Sequence, residues 1–384
     1  MAFEHYIQSG GKRLRCGYTT GTCAALAAAG AVRYLVSGAW PFSVSLRTPG
    51  GIAVEVPLEA CRTEGPRAVC AVRKDGGDDV DGTSGALIEA SAVLTDRSGV
   101  EIDGGKGVGR VTLPGLDQPV GAAAINRVPR QMIARAVEEV LAEAGIDGGA
   151  SVMISVPEGE KIAGNTFNPR LGIEGGISIL GTSGIVEPMS ARAVVETIAL
   201  ELRQLAARGT DRLILTPGNY GLDFLRRNEL HLPDMPAVKC ANFIGEALDE
   251  AVLDGFREIL LVGHIGKLVK LAGGIFNTHS RTADCRTELF CAHAALQGAD
   301  RDLCRRLLDC PTADACLALL SGAGLRDSVL ESLLSAVQDR LDRRTGGAGI
   351  AGAVLFSNEY GLLGMTRQAE ECIRRWKRTA DSTQ

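Results

Sequence analysis

The residues best placed to do chemistry stand just after short apolar runs, where strands would end. Ile259-Leu-Leu-Val-Gly263 runs into His264-Ile-Gly266-Lys267, and Leu213-Ile-Leu-Thr216 into Pro217-Gly218-Asn219-Tyr220-Gly221. Ile177-Ser-Ile-Leu-Gly181 runs into Thr182-Ser183-Gly184. In an open parallel sheet, ligands bind beyond the carboxyl ends of the strands. Backbone N–H groups and small hydroxyls ahead of a helix make a nucleotide-like cradle there. Gly181, Thr182, Ser183, Gly184, Gly218 and Asn219 are expected to line it. His264 and His279, the latter in Asn277-Thr-His-Ser280, are the imidazoles best suited to proton transfer near neutral pH. Lys74-Asp-Gly-Gly-Asp-Asp79 is a dense acidic loop whose carboxylates would shift one another's pKa and supply a general base. Hydrogen-bonded structural roles for the histidines and a solvated turn for the acidic loop are the competing readings. Lys12, Arg13, Arg15, Arg127, Arg130 and Arg170 are available as anion contacts, against the plainer reading of solvated surface cations.

Several familiar motifs are missing. None of these strand-end runs matches the dinucleotide pattern G-x-G-x-x-G, and the P-loop pattern with its lysine is absent, which argues against nicotinamide binding and nucleotide hydrolysis. Gly104-Gly-Lys-Gly107-Val-Gly109 precedes a strand rather than joining a strand to a helix, and reads as a turn. Eleven cysteines, an odd number without a C-x-x-C pair, do not form a disulfide framework and fit a reducing cytoplasm. Cys304, Cys310 and Cys316 are spaced by six, which on a helix turns side chains about 120° apart. Buried small hydrophobes are favoured over a metal site there, although Pro311 could break the helix. No bound metal is expected.

These residues need a scaffold. A chain of 384 residues has room for two or three domains and a core that requires no staples. Hydrophobic residues at 45% and charged residues at 23% are globular values and exclude disorder. A net charge of -5 and only 4% aromatics leave neither the basic excess for a duplex nor the stacking surface for single strands. The basic-then-apolar start from Lys12 to Val32 mimics a signal peptide, but alanine is a poor apolar region and Arg33 interrupts it. The run falls short of the roughly 20 residues that a membrane span requires, so neither export nor a membrane anchor is expected.

Thr19 to Thr22 offer cap hydroxyls to a helix over 23–36, and Val128-Pro129-Arg130 opens another to about residue 144. Alternating stretches at 42–46, 52–57 and 68–73 predict a mixed-sheet α+β domain over residues 1–147. Beyond a linker at 145–149, apolar runs alternate with helical segments. They begin at 151–156 and 177–181, continue at 212–216, 238–241 and 258–263, and close at 351–357. This pattern predicts a doubly wound, mostly parallel, Rossmann-like α/β domain over 148–384. Residues 283–345 carry no strand signal and read as a helical insertion.

Several strings together resemble one family. Leu14-Arg-Cys-Gly-Tyr-Thr-Thr-Gly-Thr-Cys-Ala-Ala25, the acidic loop 74–79 and Ala124-Ile-Asn-Arg-Val-Pro-Arg130 are similar to the cobalt-precorrin-5B C1-methyltransferase (CbiD) family of anaerobic cobalamin biosynthesis. So are Arg170 to Ser190, Pro217-Gly-Asn-Tyr-Gly221, Asn242-Phe-Ile-Gly245 and Gly263 to Ala272 with Asn277-Thr-His-Ser280. The resemblance spans about residues 10–285. It implies S-adenosylmethionine-dependent methylation of C1 of cobalt-precorrin-5B, giving cobalt-precorrin-6A, with cobalt entering only as part of the substrate. A macrocycle bearing carboxylates would account for clustered cations in an acidic protein. Arg15, Lys74, Arg130 and Arg170, with Thr19, Thr20 and Thr22 at a helix N-terminus, become expected substrate contacts. His264, His279 and Asp75 become candidate bases. The cofactor is expected over 181–184 and 218–219, with the tetrapyrrole between the domains. No nucleic-acid or membrane partner is implied, and a homo-oligomer is left open. A noncatalytic tetrapyrrole or cobalt carrier and a nicotinamide-dependent oxidoreductase are the rival functions.

Overall fold

The computed structural model describes residues 3–79, 82–166, 168–227, 230, 232 and 235–381. The chain divides into two units, Met1–Ala191 and Arg192–Gln384. Both combine helices with sheets, and strand orientation is mixed. Among the described residues no helix is long and apolar enough to cross a membrane.

In the first unit the helix Thr20–Ser37 starts where its caps predict. The Thr19 side chain accepts from the Thr22 N–H, and left-handed Gly38 closes the other end. Every residue from Thr20 to Val32 is buried. Small side chains permit that approach, since a Cβ on Gly30 would meet Leu58 Cδ1 at 2.6 Å. The helix packs on a five-stranded sheet and on the helix Arg127–Glu143. The sheet order is Glu59–Glu64, Arg67–Arg73, Leu87–Thr95, Gly149–Ser155, Gly99–Gly104. Along Leu87–Thr95, Ile88, Ala90 and Ala92 alternate inward, the period of a half-buried strand.

Two expectations change here. The strand Gly149–Ser155 does not open a second domain. It lies between Leu87–Thr95 and Gly99–Gly104, antiparallel to the first and parallel to the second, so the first unit extends to Ala191 instead of ending near residue 147. Pairing on both sides satisfies main-chain groups that a linker would leave to water. The run 177–181 is likewise not a strand of the parallel sheet. Gly176–Ile177 pairs with Gly107–Val108, within the glycine-rich stretch read as a turn, and Ile179 bridges Ile125. An apolar run alone does not say which sheet receives it.

In the second unit the strand order is Ala237–Lys239, Arg212–Thr216, Glu258–His264, Ile350–Ser357, Gly361–Met365. The first four are parallel and the last is antiparallel. Alternate residues feed separate cores. Leu213, Leu215, Ile259, Leu261, Ala353 and Leu355 join one apolar cluster, and Ile214, Leu260, Val262, Val354 and Phe356 the other. The helix Asn219–Arg226, through Phe224, leaves toward the second cluster, whereas Ile265–Ala272, through Leu268 and Val269, leaves toward the first. Two adjacent parallel strands thus send their helices to opposite faces, which opens a crevice at their carboxyl ends.

Residues 283–345 are helical as expected, in the helices Arg286–Leu296, Arg301–Leu308, Ala313–Gly322 and Arg326–Thr345. Asp300 and Thr312 cap two of them, accepting from Leu303 N and Ala315 N.

The strand Ile350–Ser357 is seated against the helix Arg367–Asp381 so closely that a Cβ on Gly352 would lie 2.2 Å from Ala369 N. Because that neighbour is backbone, Gly352→Ala should cost about 1–3 kcal/mol or more of stability. An unchanged denaturation midpoint would show that strand and helix do not meet as described.

Candidate functional site

The crevice of the second unit is a cavity of about 590 Å³. Its walls include the first turns of the helices Asn219–Arg226, Ile265–Ala272 and Ala313–Gly322, with Asn219 and Tyr220, Gly266 and Lys267, and Ala313 and Asp314. Helix N-termini carry partial positive charge, so the cavity is electropositive before any side chain is counted.

His264 ends its strand and caps the helix Ile265–Ala272. Its Nδ1 accepts from Gly266 N at 3.1 Å, which puts the proton of the neutral ring on Nε2. That nitrogen faces Asp314 Oδ2 at 3.8 Å. Burial pushes the His264 pKa down and Asp314 partly offsets the effect, a balance that favours the neutral ring. Protonating Nδ1 would set one N–H against another. His264 therefore offers the cavity a donor, not a free lone pair, and the base role expected from the sequence does not fit this geometry.

Lys267 donates from Nζ to Pro217 O at 2.7 Å, and burial lowers its pKa. Asp314 Oδ1 accepts from Ser357 Oγ at 2.5 Å, tying the insertion to the end of the strand Ile350–Ser357. Arg286 also lines the cavity but is held by Asp284 through Nε at 2.5 Å and Nη2 at 2.9 Å. Tyr220 stands at the wall with its side chain largely outside, 64% exposed, and its ring centroid is 6.3 Å from that of His264. Buried Lys270 donates to the carbonyls of Thr278 and Ala283 and pins the loop that carries His279. His279 itself is exposed, with Nδ1 accepting from Arg281 N, and does not line the cavity.

The first unit turns most of the other expected contacts into structure. Thr20 Oγ1 accepts from Leu180 N at 2.9 Å, Thr22 Oγ1 donates to Gly184 O at 2.6 Å, and Thr19 N donates to the same carbonyl. Gly50 N takes Ser183 O, and the Ser183 hydroxyl is used by Ile185. The segment 181–184 is thus docked on the start of a helix, in a different unit from Gly218 and Asn219, and is not a strand-to-helix cradle. A Cβ on Gly181 would fall 2.4 Å from Thr19, and one on Gly184 2.7 Å from Thr48. Substitution at either glycine would break this packing whether or not a cofactor is bound. Thr182 remains exposed and lines a second cavity of about 490 Å³ with Leu46, Val128 and Met132.

Arg15 grips Asp75 bidentately, Nη1 to Oδ2 at 2.5 Å and Nη2 to Oδ1 at 2.9 Å. The guanidinium, helped by Gly77 N–H, holds the Asp75 pKa below its ordinary value. A carboxylate so stabilised is a poor proton acceptor, which removes Asp75 as a base and Arg15 as an uncommitted cation. Arg130 donates to Ile125 O and Ile102 O, clamping its helix to the strand Gly99–Gly104. Lys74 is buried. Arg170 lies in the 3-10 turn Asn168–Leu171, and its side chain is outside the described residues.

Of the expected site, the structure brings together His264, Gly218 and Asn219. Sequence reasoning passed over Lys267, Tyr220, Arg286 and Asp314. Lys267 and Tyr220 stand in the strand-end strings and could have been found there. Asp314 carries no local signal, because it lies in the insertion and reaches the cavity only through the tertiary fold.

The fold and site define an α/β chain with a ligand-sized crevice at the carboxyl ends of two adjacent parallel strands, the place where such sheets accept small ligands. More narrowly, the chain belongs to the CbiD family: the model described as CbiD matches residues 7–188, and CbiD, C-terminal domain, matches 277–367. A cobalt-precorrin-5B C(1)-methyltransferase of Ruminiclostridium cellulolyticum is 46% identical over 92% of each chain. One of Alkaliphilus metalliredigens is 42% identical over 95% of this chain and 96% of its own. A crystal structure of a cobalamin biosynthesis protein (cbiD) from Archaeoglobus fulgidus is 32% identical, covering 73% of this chain and 87% of that one, with a TM-score of 0.38.

The Arg15–Asp75 pair makes a pH-dependent prediction. A depressed carboxylate pKa stabilises the fold above its unfolded value near 3.8, and that contribution is lost as pH falls through the lower folded value. Asp75→Asn should cost about 1–2 kcal/mol near pH 7, after allowance for partial exposure. Thermal melts across pH should show the gap closing below about pH 4; a constant gap would mean the charge is not what matters.

Proposed function

We propose that this chain is a cobalt-precorrin-5B C(1)-methyltransferase, moving a methyl group from S-adenosylmethionine to C1 of the cobalt-bearing macrocycle. The observation that carries this reading is the near full-length similarity to curated relatives bearing that name, at 46% and 42% identity. The second unit is read as a doubly wound sheet, and its strand-order reversal is where such a sheet accepts a nucleoside-like ligand.

The residues in the crevice fit S-adenosylmethionine. The Pro217–Gly218 turn offers open backbone, Tyr220 an exposed aromatic face, Asp314 an acceptor and Lys267 a cation. The donor's sulfonium methyl is already activated, so no nucleophilic side chain is called for. The work of the protein is to align the reacting atoms and exclude water, a contribution worth several kcal/mol in well-oriented systems. His264, as an Nε2–H donor, orients what is bound; Lys267 and the three helix ends hold negative charge; Gly218 and Asn219 let a ligand approach the backbone.

Two measurements test this. Purified protein given labelled S-adenosylmethionine and cobalt-precorrin-5B should place one labelled methyl on the macrocycle by mass spectrometry. Macrocycle binding without transfer would favour a noncatalytic carrier. His264→Gln, which keeps a donor, should retain transfer within about tenfold, whereas removing a general base would cost about 10²–10⁴-fold.

A further inference from the structure

We propose that the crevice of the second unit reads the amino-acid end of its ligand, with Asp314 receiving an α-ammonium and Lys267 an α-carboxylate, so that the helical insertion supplies a specificity residue. The identity of the probe rests on the methyltransferase reading; the charge layout does not.

Asp314 is held in one orientation. Ser357 Oγ accepts from Glu359 N at 3.0 Å and from Tyr360 N at 3.3 Å, which leaves its hydroxyl proton for Asp314 Oδ1 at 2.5 Å. Ser357 is 1% exposed, so this anchor is built into the core. The other oxygen, Oδ2, faces His264 Nε2 at 3.8 Å, beyond a direct hydrogen bond. A carboxylate oxygen on a cavity wall, 3.8 Å from the His264 donor, is suited to a donor brought by the ligand.

Lys267 supplies the opposite sign. Its Nζ spends one proton on Pro217 O at 2.7 Å and keeps two. Leaving such donors unpaired in a half-buried place is costly, and an anion would relieve it. The helix ends at Asn219 and Ile265 favour negative charge on the same wall. Arg286, the other lining cation, is neutralised by Asp284. Among the described residues that line the cavity, one available anion and one available cation therefore remain, the complement of a zwitterion. A ribose diol would use Asp314 and leave Lys267 without an anion. A phosphate would suit the helix ends and be repelled by Asp314.

Calorimetry on the full chain can decide this with S-adenosylhomocysteine and 5′-methylthioadenosine, which share the nucleoside but differ in the amino-acid end. The unsubstituted protein should bind S-adenosylhomocysteine at least about tenfold more tightly, a single good charged contact being worth that much. Lys267→Met and Asp314→Asn should each shrink that ratio while leaving methylthioadenosine affinity within about threefold. Retained circular dichroism and melting temperature would establish that both variants fold. The proposal is overturned if the unsubstituted protein binds both probes equally, if S-adenosylhomocysteine does not bind, or if the folded variants keep the original ratio. Methyl transfer without discrimination would sink this inference alone; discrimination without transfer would sink the methyltransferase reading alone.

Discussion

The second unit depends on the parallel pairing of Glu258–His264 with Arg212–Thr216 on one side and Ile350–Ser357 on the other. Because alternate residues of these strands point to opposite cores, the sheet must be covered on both faces. The helices that follow two neighbouring strands leave in opposite directions to do so. The space between their starts is left open, and the cavity lies there. His264 inherits two duties from this position, since the last residue of a central strand is also the cap of the next helix. The cap bond fixes its tautomer, and the tautomer makes it a donor.

The first unit solves a different problem. A helix buried from Thr20 to Val32 has polar groups at its start that cannot reach water. The hydroxyls of Thr20 and Thr22 and the N–H groups of Thr19 and Gly21 are paired with the chain at 180–184. An unpaired buried polar group costs about 1–3 kcal/mol, so these pairings have a structural reason that needs no ligand. Glycines 181 and 184 belong to the same arrangement, because any Cβ would strike the threonines or Thr48.

The helical insertion is more than a cover on the sheet. It adds Phe290, Leu317 and Leu333 to one core, and it carries Thr312, Ala313 and Asp314 to the rim of the crevice. The Ser357–Asp314 bond joins the two functions, since the same contact that docks the insertion sets the direction of a charge.

Much was legible in the sequence. The caps around Thr20–Ser37, the strand Arg212–Thr216, the all-helical stretch after residue 283 and the glycine turn beside His264 follow from local rules: hydroxyl caps, apolar runs and backbone freedom act within a few residues. The long strings shared with the family were equally plain. What tertiary structure decided is which partner each segment meets. Gly149–Ser155 and residues 177–181 have the composition of parallel strands, yet pairing places both in the first unit. Asp75 looks like a base and the threonines like ligand contacts until their hydrogen bonds are assigned. Asp314, distant in the chain from every strand-end motif, reaches the crevice only because a helix packs it there. Composition and spacing fix what a residue can do; only folding fixes which other group is close enough to use that capacity first.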